Sequence, residues 1–233
     1  ALKQDGQNAV ITFKATRNDG GARSASVSFT SGKSTVTSTI TQDGSIREVS
    51  LGDFKAAAED QSQYRITALV SKVDAKGNFW LQDYTDLSGD IEAYKPTGNT
   101  KGIKVGDIVT VVGTRSSYKG NAQIGSPVVE KVESVKAISL GEFDNQADGT
   151  MVIIKGKVAD VKNDKYGNFY LEDETGKVYV YGLFGYGAPK GTDRQNFMKD
   201  HGIAAGSTIT VVGPKTTYNG VIELNGGYFL SKE

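Results

Sequence analysis

The chain has 233 residues, 37% of them hydrophobic and 23% charged, a balance that suits one or two globular domains and excludes a disordered polymer. Lysine plus arginine and aspartate plus glutamate number 27 each, so there is no global basic field to hold nucleic acid by counterion release, and any such site must be local. Cysteine is absent, which excludes disulfides, thiolate nucleophiles and cysteine-ligated zinc, and no apolar run reaches the roughly 18 residues that would span a bilayer.

The opening ALKQDGQNAV has none of the features of a signal peptide, and the abrupt start is expected of a mature or trimmed product. Residues 10–44 are rich in Thr, Ser and Val, with Asp-Gly-Gly and Ser-Gly turns, a pattern that predicts two hairpins. This stretch resembles the last three strands of a BACON-type immunoglobulin-like domain, a module common in secreted and surface proteins of gut bacteria. The resemblance assigns residues 1–45 to a partial β-sandwich and implies export to the periplasm or cell surface as a lipoprotein. The first half of such a sandwich has no counterpart here. An isolated hairpin is marginal in water, so these strands are expected to be completed by another chain, by a barrel or by upstream sequence.

From residue 46 onward the chain repeats itself. SLGDF at 50–54 returns as SLGEF at 139–143, GNFWLQD at 77–83 as GNFYLED at 167–173, and GIKVGDIVTVVGTRSSYKG at 102–120 as GIAAGSTITVVGPKTTYNG at 202–220. The repeat separates a domain at 46–138 from one at 139–233. Short alternating apolar runs bounded by Gly, Asn, Asp and Ser predict five strands in each copy. They fall near 64–74, 78–83, 90–95, 106–115 and 122–134, then near 151–162, 168–173, 177–183, 207–214 and 221–231. The second copy carries an insert, GTDRQNFMKDHG, in which Thr192 and Gln195 form a capping box and Gly202 a left-handed C-cap, so a helix is predicted there.

Three strands, an optional helix and two more strands, together with GNFWLQD, GDIVTVVG and SSYKGNAQI, resemble the OB-fold domains of nucleic-acid-binding proteins, which also occur in tandem in bacterial envelope proteins. The resemblance covers residues 50–233. It implies an all-β protein with two five-stranded Greek-key barrels, the second with a short helix between strands three and four, and a ligand face on strands two and three.

One parity of each strand fills a small barrel and the other faces out. Phe79, Leu81, Ile91, Ala93, Val111, Phe169, Leu171, Val178, Val180 and Val211 are therefore expected in the core, and Trp80, Glu92, Tyr94, Tyr170, Tyr179 and Tyr181 on the outer face. The outward rings are candidates for stacking a ligand, or for packing at an interdomain or N-terminal contact. Tyr118 and Tyr218 are predicted at the tips of the hairpins between strands four and five, near Arg115, Lys119 and Lys215, a combination that suits a base or a sugar ring. Gly120 and Gly220 are expected at positive φ in a three-residue hairpin with a bulge. The leading expectation for the ligand is single-stranded nucleic acid or a similar oligomer, with oligosaccharide binding or a spacer role as alternatives.

No catalytic function is expected. A single histidine, His201, in the absence of cysteine assembles neither the usual triads nor a zinc site. The acidic run DYTDLSGDIE, with Asp83, Asp86, Asp90 and Glu92, lacks calcium-loop spacing, so neither metal nor cofactor is expected.

Overall fold

The computed structural model describes residues 2–5, 8–16, 18, 22–83, 89–188 and 194–233. Two hairpins open the chain: β1 (Leu2–Asp5) with β2 (Asn8–Ile11), and β3 (Arg23–Ser31) with β4 (Ser34–Gln42). The first lies earlier than the sequence pattern places it. In the second, Ala25, Val27 and Phe29 face Ile40, Ser38 and Val36 across the ladder, while Ser and Thr fill the other side. Among the described residues the apolar side is left open, with Val36 68% exposed.

The first barrel follows β5 (Ile46–Glu48) and α1 (Leu51–Ala56) with β6 (Gln63–Val73), β7 (Phe79–Gln82), β8 (Gly89–Tyr94), the short β9 (Thr97–Gly98), β10 (Ile108–Tyr118) and β11 (Asn121–Glu133). The second opens with β12 (Lys136–Ile138) and a 3-10 helix (Leu140–Asn145). It continues with β13 (Met151–Asn163), β14 (Asn168–Glu172), β15 (Lys177–Phe184), α2 (Phe197–Asp200), β16 (Thr208–Tyr218) and β17 (Val221–Lys232). In each copy the strands pair in the order first-second-third-fifth-fourth, and the fourth returns to the first to close the ring. The third and fifth strands run parallel and the other ring pairs antiparallel. These are two OB-fold barrels in an all-β protein. No helix among the described residues is long and apolar enough to cross a membrane.

Alternation places the cores as predicted: Phe79, Leu81, Ile91, Ala93 and Val111 are buried in one barrel, and Phe169, Leu171, Val178, Val180 and Val211 in the other. The repeated SLGDF and SLGEF phrases, which the strand pattern leaves unassigned, form the short helices. Ser50 Oγ accepts the Asp53 N–H at 3.0 Å, and Ser139 N–H donates to Glu142 Oε2 at 3.0 Å, so both use an N-terminal cap. Leu51 with Phe54, and Leu140 with Phe143, press into the two cores. In the insert, Thr192 lies outside the described residues. Helix α2 starts at Phe197, after Asn196 at φ 65°, and Gly202 terminates the turn at φ 60°.

The barrels are docked on one another. Leu69, on the outward parity of β6, is fully buried within the second barrel's core cluster. Tyr228 of β17 donates its hydroxyl to the Ser71 carbonyl at 2.8 Å, and burial pushes its phenol far up from the usual value. Asp90 completes the joint, accepting from Ser71 Oγ at 2.8 Å and from the Gly187 N–H at 3.4 Å, with its carboxyl raised by burial.

Candidate ligand-binding face

Register fixes which side chains share the outer face. Tyr170 of β14 pairs with Tyr179 of β15, Tyr179 with Glu223 of β17, and Glu223 with Thr216 of β16, so these four form one row across the second barrel. Tyr181, two residues along β15, shares the face, opposite Asn168 and Asn225. Ring centroids lie 5.0 Å apart for Tyr170 and Tyr179 and 6.5 Å apart for Tyr179 and Tyr181. The three tyrosines that the sequence picks out on this barrel thus stand together.

Two lysines crowd the Tyr170 end. Lys177 Nζ lies 4.6 Å and Lys162 Nζ 5.9 Å from that ring's centroid, within cation–π range. Asp160 pairs with both, at 2.9 Å to Lys162 and 3.8 Å to Lys177. The Lys162 hydrogen bond pulls the Asp160 carboxyl down and raises the lysine in return. Tyr181, 51% exposed, also walls a cleft of about 310 Å³ with Tyr166, Phe184, Arg194 and Asn225.

The other end of the row holds an acid. Glu223 is only 5% exposed although it lies on the outer face, and its side chain has no hydrogen bond or ion pair among the described residues. Burial pushes its carboxyl up, and the Tyr179 phenol is raised by burial first and by the Glu223 charge second.

The first barrel treats the equivalent row differently. Trp80 pairs with Glu92, Glu92 with Gln123, and Gln123 with Ser116. Here the acid is satisfied, because Gln123 Nε2 donates to Glu92 Oε2 at 2.8 Å. Trp80 is half-buried at the joint between barrels. Tyr186 packs edge-on to it at 6.4 Å, and Lys72 Nζ lies 4.4 Å from the Trp80 ring and 4.7 Å from the Tyr186 ring. The interdomain contact left open by the sequence is therefore the setting of this residue. Tyr94 and Tyr118 instead line a separate cleft of about 750 Å³ with Asp74, Asn78, Lys95 and Gln123.

Tyr118 and Tyr218 stand exposed beside the hairpin turns, with Lys119 Nζ 5.3 Å from the Tyr118 ring. The turns are shorter than predicted. Tyr118 pairs directly with Asn121 and Tyr218 with Val221, leaving two residues in each loop. Both loop residues have positive φ, Lys119 at 51° with Gly120 at 81°, and Asn219 at 48° with Gly220 at 80°. This is the type I′ geometry that matches strand twist, in place of a three-residue loop with a bulge.

Arg115 and Lys215 have their charges engaged inside the protein. Arg115 pairs with Glu59 at 3.2 Å, and Lys215, buried, with Asp148 at 2.6 Å. The hydrogen bond from Lys215 holds the Asp148 carboxyl down. Both links tie the fourth strand to the segment that enters the first.

Sequence reasoning missed Lys162, Lys177 and Glu223. The outward direction of Glu223 was readable, since its neighbour Leu224 has core parity and the repeat aligns it with Gln123. Its burial was not readable, because that depends on neighbouring strands.

No protein-family model and no curated protein matches the chain. Among solved structures it is similar to a murine DNA-binding protein determined with double-stranded DNA, at 14% identity over 71% of this chain and 97% of that one, with a TM-score of 0.33. It is also similar to a deletion variant of the single-stranded DNA-binding protein of Thermus aquaticus, at 15% identity over 73% and 92%, TM-score 0.24. A third is the hypothetical protein ygiW of E. coli, at 11% identity over 42% and 94%, TM-score 0.29. Likenesses this distant carry no argument about ligand, and the functional reading rests on the face itself.

Proposed function

We propose that the protein is a non-enzymatic binding module that takes single-stranded nucleic acid on the tyrosine row of its second barrel. The observation that carries this reading is the assembly of Tyr170, Tyr179 and Tyr181 on one outer face, with Lys162 and Lys177 beside the first ring. Every base has a π-face, so such a row accepts successive bases whatever their sequence, while cations beside it meet the phosphates. The pairing of both lysines with Asp160 means that a phosphate must compete for them, which points to modest affinity with a shallow salt slope. The absence of net charge favours a second reading, an oligosaccharide stacked on the same rings.

Titrating the chain with single-stranded DNA and with a panel of oligosaccharides at two salt concentrations separates the readings. Tyr170→Ala and Tyr179→Ala are each expected to weaken DNA binding by about 1–3 kcal/mol with the melting curve preserved. Glycan binding that ignores salt, with no DNA binding, would transfer the face to carbohydrate. Variants that bind every ligand as the parent does would leave the chain as a spacer.

A further inference from the structure

The row of tyrosines ends on a residue whose placement the fold does not account for. Glu223 has nine-tenths of its surface buried, yet no hydrogen bond or ion pair to its side chain exists among the described residues. The first barrel supplies an internal comparison, because there Gln123 occupies the aligned position and donates to Glu92 across the strand pair. In the second barrel the opposing position holds Tyr179. An ionised carboxylate accepts and never donates, and the Glu223 oxygens are not sealed off, so its lone pairs stay open at the surface to a donor that the chain itself does not supply.

We infer that Glu223 is a specificity-determining acceptor, reading the edge of a guanine stacked on Tyr179 through the base's N1–H and N2–H groups. This rests on the stacking function proposed above. Adjacent strands are about 4.8 Å apart, so a base lying over Tyr179 brings its edge within reach of the side chain on the next strand. Unpaired bases are read on their Watson–Crick edges, and carboxylates take their amino groups. Guanine alone offers two neighbouring donors there. Adenine and cytosine each set one amino group beside an acceptor, and thymine sets one N–H between two carbonyls, so each turns a lone pair toward the carboxylate.

Polarity along the row favours a nucleotide over a sugar. The cations Lys162 and Lys177 lie at the Tyr170 end and the acceptor lies two strands away, so phosphate and base edge are drawn in opposite directions. A sugar diol also presents two donors to a carboxylate, but a neutral ring has no use for the lysines.

The test measures binding of the full chain to single-stranded DNA oligonucleotides of equal length, one a guanine–thymine repeat and one an unbroken thymine repeat, neither of them self-complementary, by fluorescence anisotropy. The guanine repeat is expected to bind about tenfold tighter, and replacing guanine with inosine, which lacks the N2 amino group, should remove most of that preference. Glu223→Gln puts a donor where a lone pair is needed and should bring the ratio between the two repeats close to one. Tyr179→Ala should weaken binding to both. A Glu223→Gln protein that keeps the guanine preference overturns the inference and leaves the stacking function standing. Failure of the parent chain to bind any oligonucleotide overturns both, and Glu223-dependent binding of oligosaccharides alone reassigns the carboxylate to a diol.

Discussion

Glu223 is mostly buried as a residue while its carboxylate oxygens keep access to solvent, so its ionised form is only partly desolvated at neutral pH. Its folded-state value is raised by burial, so its favourable contribution is complete below the unfolded value, about 4.3, and is lost as pH rises through the folded value. Glu223→Gln removes the partly desolvated charge and is therefore expected to raise the melting temperature at pH 7 slightly, by about 1–2 °C. That gain should fade as pH falls toward about 4.3, where the parent's own carboxyl is protonated. Thermal melts of both proteins from pH 4 to pH 8 check this, and a variant less stable than its parent at pH 7 would mean that the carboxylate has a structural partner. At this scale the sequence could be read for direction but not for environment. Parity correctly put Tyr170, Tyr179 and Tyr181 outside, yet by the same rule Trp80 and Tyr170 look equivalent. Only the docking of Tyr186 from the second barrel distinguishes them, a contact that strand periodicity does not record, since each ring has a lysine beside it and Lys72 is simply the ladder partner of Trp80 on β6.

The elements were legible where local chemistry dictates them. Five alternating runs per copy became five barrel strands, and the VVG phrase shared by β10 and β16 has a specific cause. A Cβ built on Gly213 would stand 2.5 Å from Leu224 Cδ2, and one on Gly113 would stand 2.7 Å from Ile124 Cγ1, so at this bend the strand runs against a core side chain. Pairing shifts register at the same place in both copies, between Val112 and Thr114 and between Val212 and Lys215. Gly213→Ala is expected to destabilise the protein by roughly 1–3 kcal/mol through overpacking, measured by urea unfolding. Adding Leu224→Val should return part of the loss, and if it does not, crowding is not the reason for the glycine. The short helices were less legible. In SLGDF and SLGEF the S-x-x-D/E caps are present in the sequence, but α1 spans only six residues, and so brief a helix lacks the repeated apolar spacing by which longer ones are recognised.

At the scale of the whole molecule the two barrels behave as unequal partners, one face closed by docking and the other left open. The clue to docking lay in the run Ala68-Leu69-Val70, where three consecutive apolar residues break an otherwise alternating strand. Ala68 and Val70 fill the first barrel, and Leu69 turns outward into the second barrel's core. A residue that belongs to one barrel's strand and the other's core couples their unfolding, so the barrels are expected to melt in one transition. Leu69→Ala should lower the stability of that unit by about 2–5 kcal/mol, as large-to-small changes do at closed sites. Trp80→Ala, at the half-buried edge where Lys72 sits between two rings, should cost less, about 0.5–1 kcal/mol for the lost cation–π contact with some packing besides. Because the ligand face proposed here is on the other barrel, Trp80→Ala should bind single-stranded DNA as the parent does, while Tyr179→Ala binds it weakly and melts normally. Calorimetry and titration on the same three variants check both halves of the claim. If Trp80→Ala instead weakens DNA binding and leaves the melt untouched, the roles of the two faces are reversed, and Tyr186 would be covering a ligand site rather than sealing a joint.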